Sequence, residues 1–257
     1  MIISGATAVV TGASSGVGRR VSERLAALGA NVGLLGRDAT RLEQTAASCR
    51  PSGTKIIACS GEISDAGYVE GAFATIEAAL GPVDILVNCA GISLPARLAV
   101  EDISHALWDE IMQTNVRGTY LTCHRAVGGM KQRRRGAIVN IGSTGAHVAL
   151  PGVSAYAASK FAVRALTDAL IGECDSFNVR VSMVSAGPIN TPIWDKRPGS
   201  PTPISREAML QPDDIADAVL WLIERPSNVR ADEILLRPAG RTPPLESAAS
   251  TGAKPNV

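Results

Sequence analysis

A chain of 257 residues, 46% hydrophobic and 19% charged, is long enough to bury a full core and lies near the upper size at which one core suffices. Its formal net charge of +1 offers no broad field to nucleic acid or an anionic membrane, and the one dense basic run, Lys131 to Arg135, reads as a solvated helix end. The five cysteines, Cys49, Cys59, Cys89, Cys123 and Cys174, are odd in number with no Cys-x-x-Cys pair, so neither a disulfide framework nor a metal site is expected.

In chain order, the first apolar run, Thr7 to Val10, predicts a strand with no basic leader before it. No apolar stretch approaches the roughly 18 residues of a membrane span, and a cytoplasmic address is expected. Thr11-Gly12-Ala13-Ser14-Ser15-Gly16-Val17-Gly18 then opens a helix over Val17 to Leu28. Glycines there let backbone amides approach a pyrophosphate, and the helix N-terminus adds partial positive charge. A second strand, Val32 to Leu35, ends in Gly36-Arg37-Asp38, and a third, Lys55 to Cys59, is followed by Glu62-Ile63. Helical spacing covers Tyr68 to Leu80, and the fourth strand, Val83 to Val87, runs into Asn88-Cys89-Ala90-Gly91 and a loop over Ser93 to Ser104.

One long helix is expected over Trp108 to Met130, then a strand at Ala137 to Ile141 leading to Ser143, and a helix from Ala155 to Cys174. The sixth strand is Val179 to Val184. Five prolines between Pro188 and Gln211 exclude a regular element there, so that stretch reads as a lid over the substrate. A helix over Pro212 to Glu224 and a seventh strand over Glu233 to Leu236 complete the pattern. Strands apolar on both faces and alternating with helices predict an α/β fold with a doubly wound seven-stranded parallel sheet and helices on both faces. One domain over residues 1–240 and a disordered tail over 241–257 are expected.

Thr-Gly-x-x-x-Gly-x-Gly at Thr11 to Gly18, Asn88-Cys89-Ala90-Gly91, Asn115-Val116-Arg117-Gly118, Ser143 thirteen residues before Tyr156, Tyr156-Ala157-Ala158-Ser159-Lys160 and Ala186-Gly187-Pro188-Ile189-Asn190-Thr191 stand in an order that resembles the short-chain dehydrogenase/reductase family. The resemblance runs from about residue 5 to 240 and implies a Rossmann-type fold. Two positions depart from its pattern: Cys89 replaces the second Asn of Asn-Asn-Ala-Gly, and Ala186 replaces the proline of Pro-Gly-x-x-x-Thr.

Tyr156 and Lys160, four apart on a helix, share a face. A phenol with a reference pKa of about 10 is a poor general base at pH 7, and a nearby ammonium favours its ionised form. Tyr156 is therefore expected to exchange a proton with the substrate oxygen while hydride moves to or from a nicotinamide, with Ser143 hydrogen-bonded to that oxygen. The resemblance further implies that Lys160 holds the nicotinamide ribose and that Asn115 anchors a water in a proton relay.

The expected cofactor-binding set is Gly12, Ser14, Ser15, Gly16, Val17, Gly18, Arg37, Glu62, Ile63, Asn88, Ala90, Gly91, Tyr156, Lys160, Gly187, Ile189 and Thr191. NAD-dependent relatives carry an acid where this chain has Gly36, and Arg37 offers a guanidinium to a 2′-phosphate, so NADP(H) is expected over NAD(H). A register shift of one residue would instead make Asp38 the ribose ligand.

Ser93, Leu94, Gly145 and Trp194 are expected to wall a pocket for a small carbonyl or alcohol. His147 can contact substrate or lie in a surface loop. Glu233 to Pro238 resembles the branch containing 3-hydroxy acid and serine dehydrogenases. The apolar Ala155 to Cys174 helix predicts a partner helix, and the family resemblance implies that the helices bearing Asn115 and Tyr156 form a dimer interface within a homotetramer or homodimer. A cofactor-binding redox sensor without turnover is the alternative reading.

Overall fold

The computed structural model describes residues 1–195 and 205–239. The expected tail lies outside the described residues, as does the middle of the expected lid. Seven strands form one parallel sheet: β1 (Thr7–Thr11), β2 (Asn31–Gly36), β3 (Ile56–Ser60), β4 (Ile85–Asn88), β5 (Gly136–Ile141), β6 (Val179–Ala186) and β7 (Glu233–Leu236). Their order is β3-β2-β1-β4-β5-β6-β7, with every neighbouring pair parallel. The order reverses between β1 and β4, and the crevice that opens there at the strand carboxyl ends is where such sheets bind ligands.

Alternation along each strand sends side chains to two cores. Ala8, Val10, Ile85, Val87, Val139 and Val184 pack with helices α1 (Gly16–Ala27), α2 (Ala39–Cys49) and α7 (Pro212–Glu224). Val9, Leu86, Ile138 and Val181 face the opposite way, against α3 (Ala66–Leu80), α5 (Gly118–Arg133) and α6 (Ser154–Cys174). Fully covered central strands explain why β1, β4 and β5 are buried at every position while the edge strand β3 is not.

Three features differ from the sequence expectation. Helix α2 fills the stretch between β2 and β3, where no element was anticipated; Asp38 caps it by accepting the Arg41 amide, and Leu42, Thr45, Ala46 and Cys49 are its buried side chains. The single helix expected over Trp108 to Met130 is present as one unbroken helical run, but with a π-helical turn, Gln113–Arg117, between α4 (His105–Met112) and α5. Leu94, expected in the pocket wall, is only 1% exposed and packs with Ile103, Ile111 and Ala155, so its side chain supports the loop after β4 from beneath.

Candidate active site

The turn after β1 is shaped by close backbone approach. Gly12 has φ +63°, and a Cβ there would sit 2.8 Å from the Ala90 amide nitrogen; at Gly18 it would lie 2.4 Å from the Gly12 carbonyl oxygen. The turn is clamped from both sides, because the Ala13 amide donates to the Leu35 carbonyl and Thr45 Oγ1 donates to the Ala13 carbonyl. Ser15 occupies the N-cap of α1 without using its side chain as a cap, which leaves the first helical amides for an anion. Val17 is buried in the core, so its contribution here is its backbone N–H. Thr191 leans against Gly16, with Cγ2 3.1 Å from where a Cβ would be. The glycines are thus required by the chain's own packing, and the uncapped amides they leave at the start of α1 suit a dinucleotide pyrophosphate.

Thr11, which sequence reasoning left out of the site, ties this turn to the next one. Its Oγ1 accepts the amides of Cys89 and Ala90 at 3.1 and 3.0 Å, holding the end of β4 against the end of β1. The signal was available: a threonine ending a buried strand one residue before the motif's first glycine. Asn88, expected among the cofactor ligands, turns away instead. Its side chain donates to Asn140 Oδ1 and accepts from Thr122 Oγ1, both buried, so it braces the floor of the site.

Asn115 sits in the π-helical turn and is 1% exposed. Its Oδ1 accepts the Ile92 amide at 2.8 Å while Nδ2 donates to the Ile92 carbonyl and to Ser159 Oγ, which fixes the loop after β4 to α6. Lys160 is 7% exposed and donates to the Ile141 carbonyl at 2.9 Å, leaving two N–H bonds for ribose hydroxyls. Asn115 Oδ1 and Lys160 Nζ flank Gly91, at 3.4 and 3.6 Å from the position of a Cβ there. Lys160 Nζ also lies 5.9 Å from the centre of the Tyr156 ring, one helical turn back on α6.

Ser143 follows β5, is 8% exposed, and accepts the Gly145 amide at 3.0 Å. Ser143 Oγ and Tyr156 Cε1 both lie against Gly145, 3.4 and 3.6 Å from its missing Cβ. The two hydroxyl-bearing residues thus lie side by side against Gly145. His147, two residues on, points to structure rather than to that pair. Arg164 Nη1 donates to its Nδ1 at 2.8 Å, so Nε2 carries the proton and donates to Glu233 Oε1 at 2.7 Å. Glu233 therefore anchors the serine loop to β7.

At the ends of β2 and β3, Gly36 abuts Ser14, and Asp38 is occupied by its helix cap and by Arg41 Nε at 3.3 Å. Glu62 follows β3; its Oε1 is buried without a hydrogen-bond partner, an acceptor suited to an amine such as that of adenine. Ile63 packs against Gly118. Beyond β6, the Gly187 amide donates to the Leu236 carbonyl, Ile189 bridges to Leu210, and Trp194 Nε1 donates to the Ile189 carbonyl. Ser93 and Ala90 lie partly buried at the mouth of the β4 loop. Burial pushes the Cys89 thiol up to about 12, against a small opposing effect of Lys160.

A family model described as short chain dehydrogenase matches residues 6–200. Glycine betaine reductase of Emericella nidulans is 34% identical over 92% of this chain, which spans only 19% of that much longer protein. Gluconate 5-dehydrogenase of Gluconobacter oxydans is 31% identical over 93% of this chain and 96% of its own length. Among solved structures, an alcohol dehydrogenase from the archaeon Thermococcus sibiricus complexed with 5-hydroxy-NADP superposes with a TM-score of 0.83 at 28% identity, covering 93% of this chain and 99% of that one. A 3-ketoacyl-(acyl-carrier-protein) reductase from Brucella melitensis complexed with NADH does so with a TM-score of 0.84 at 29% identity, covering 92% and 98%.

Proposed function

The chain belongs to the short-chain dehydrogenase/reductase family, and from that premise we propose that it is an NADP(H)-dependent enzyme interconverting a ketone or aldehyde and its alcohol. The observation that carries this reading is the convergence of Ser143 Oγ and the Tyr156 ring beside Gly145, with Lys160 one turn from Tyr156 and against Gly91. When bound, nicotinamide supplies the hydride to the carbonyl carbon or accepts it from the alcohol carbon. In reduction, the Tyr156 hydroxyl gives its proton to the carbonyl oxygen as the C–H bond forms, so one hydride and one proton make the alcohol. Ser143 donates a hydrogen bond to that oxygen as its charge grows. Lys160 holds the ribose and keeps a positive charge beside Tyr156, and Asn115 fixes the backbone that borders both.

Arg37, with Gly36 in place of an acid, supports NADP(H) over NAD(H). The Asp38 alternative is weakened by that residue's cap on α2. Solved neighbours include ones complexed with 5-hydroxy-NADP, NADP and NADPH and one with NADH, so the preference rests on Arg37 and Gly36. In a titration followed by nicotinamide fluorescence, NADPH should bind at least about tenfold tighter than NADH, and Arg37→Ala should erase the difference. Equal affinities in the unmutated protein would contradict it. A 3-oxo or 3-hydroxy compound is our proposed substrate class, and the cytoplasm our proposed compartment; all five cysteines are free thiols, as suits a reducing environment.

A further inference from the structure

The positive charge available to a 2′-phosphate is already shared by two acids. Arg37 Nη1 lies 3.5 Å from Glu62 Oε2 and 3.9 Å from Glu110 Oε1. The three side chains come from the end of β2, the turn after β3 and helix α4, so the cluster is built by the fold and not by neighbours in sequence. Glu62 has one oxygen buried and the other on Arg37, which aims its charge at the guanidinium. The other acid of this corner, Asp38, is engaged by Arg41 and by the cap of α2. Arg37, Glu62 and Glu110 together carry a formal charge of one minus.

We propose that Glu62 and Glu110 set how strongly this chain discriminates NADP(H) from NAD(H), by competing with the 2′-phosphate for Arg37. The proposal rests on the reading of Arg37 as the phosphate-binding residue. A phosphate entering beside Arg37 must displace both carboxylates or lie next to them, and either way it meets repulsion that a 2′-hydroxyl does not. The carboxylates therefore weaken binding of one cofactor and leave the other nearly untouched. All three side chains are roughly half exposed, so each carboxylate acts through a high dielectric, and its effect is modest and screened by salt. Any bond that Glu62 Oε1 accepts from adenine is common to both cofactors and cancels in the ratio of their affinities.

The test is the ratio Kd(NADH)/Kd(NADPH), read by nicotinamide fluorescence on the full chain and on Glu62→Gln, Glu110→Gln, the double variant and Arg37→Ala. Both cofactors are measured on each sample, so a partly unfolded variant leaves the ratio intact. The ratio should rise about fivefold in Glu62→Gln, less in Glu110→Gln, whose oxygen is farther, and most in the double variant. The gain should shrink at about 0.5 M KCl. A double variant within twofold of the unmutated ratio overturns the proposal. If Arg37→Ala lowers the ratio while the double variant leaves it unchanged, the reading of Arg37 stands and only this proposal falls. If Arg37→Ala leaves the ratio unchanged, both fall.

Discussion

Asn115 has both atoms of its amide bonded, to Ile92 on one side and Ser159 on the other, so its place in the site is set before any ligand arrives. Cys89 is governed in a different way, by burial. With its thiol pushed up to about 12, the raised value disfavours the thiolate at every pH below it, and at pH 8 almost none is present. Alkylation at pH 8 followed by peptide mass spectrometry should find Cys89 modified much more slowly in the folded protein than in urea; equal rates would contradict this. At this scale the grouping of Ser143, Tyr156, Lys160 and Asn115 was legible because their spacings are short and ordered along one chain. The role of Asp38 was not, since cap and ribose ligand are told apart only by knowing that α2 begins at Ala39. Nor were the partners of His147, because Arg164 and Glu233 reach it from α6 and β7.

The elements supply a buried polar brace beneath the site. Asn88 on β4 donates to Asn140 on β5; Asn140 donates to Thr167 on α6, and Thr122 on α5 donates to Asn88. Asn140 is fully buried, so Asn140→Ala leaves Thr167 and Asn88 short of a partner and opens a small void. Urea unfolding at fixed protein concentration should show a loss of about 2 kcal/mol with the slope unchanged, whereas a change under about 0.5 kcal/mol would show that the brace contributes little. All seven strands were legible from apolar runs, to within a residue or two at their ends. Helix α2 escaped notice because its buried stripe, Leu42, Thr45, Ala46 and Cys49, carries only one large apolar side chain. The π-helical turn left no mark in the local sequence; it carries Asn115, whose partners Ile92 and Ser159 are distant along the chain.

In the whole molecule, large apolar side chains remain exposed on elements away from the crevice: Tyr120 on α5, Phe161 on α6, Trp221 on α7 and Leu235 on β7. Two such surfaces, one on the α5 and α6 side of the sheet and one on the α7 and β7 side, are what a homotetramer with two kinds of contact would cover. Sedimentation equilibrium should return about four times the 26.6 kDa of one chain; a mass of 26.6 kDa would rule the assembly out. Because α6 carries both Tyr156 and the exposed Phe161, assembly on that side would also stiffen the site.

The most direct test of the proposed chemistry is NADPH oxidation against a panel of ketones, aldehydes and 3-oxo esters, run beside Tyr156→Phe with NADPH affinity measured on both proteins. The unmutated protein should turn over at least one compound, and Tyr156→Phe should lose about a thousandfold in kcat while its NADPH affinity stays within about twofold. A Tyr156→Phe protein that keeps its turnover, or an unmutated protein that binds NADPH and reduces nothing in the panel, would contradict proton transfer from Tyr156 as the chemistry of this site.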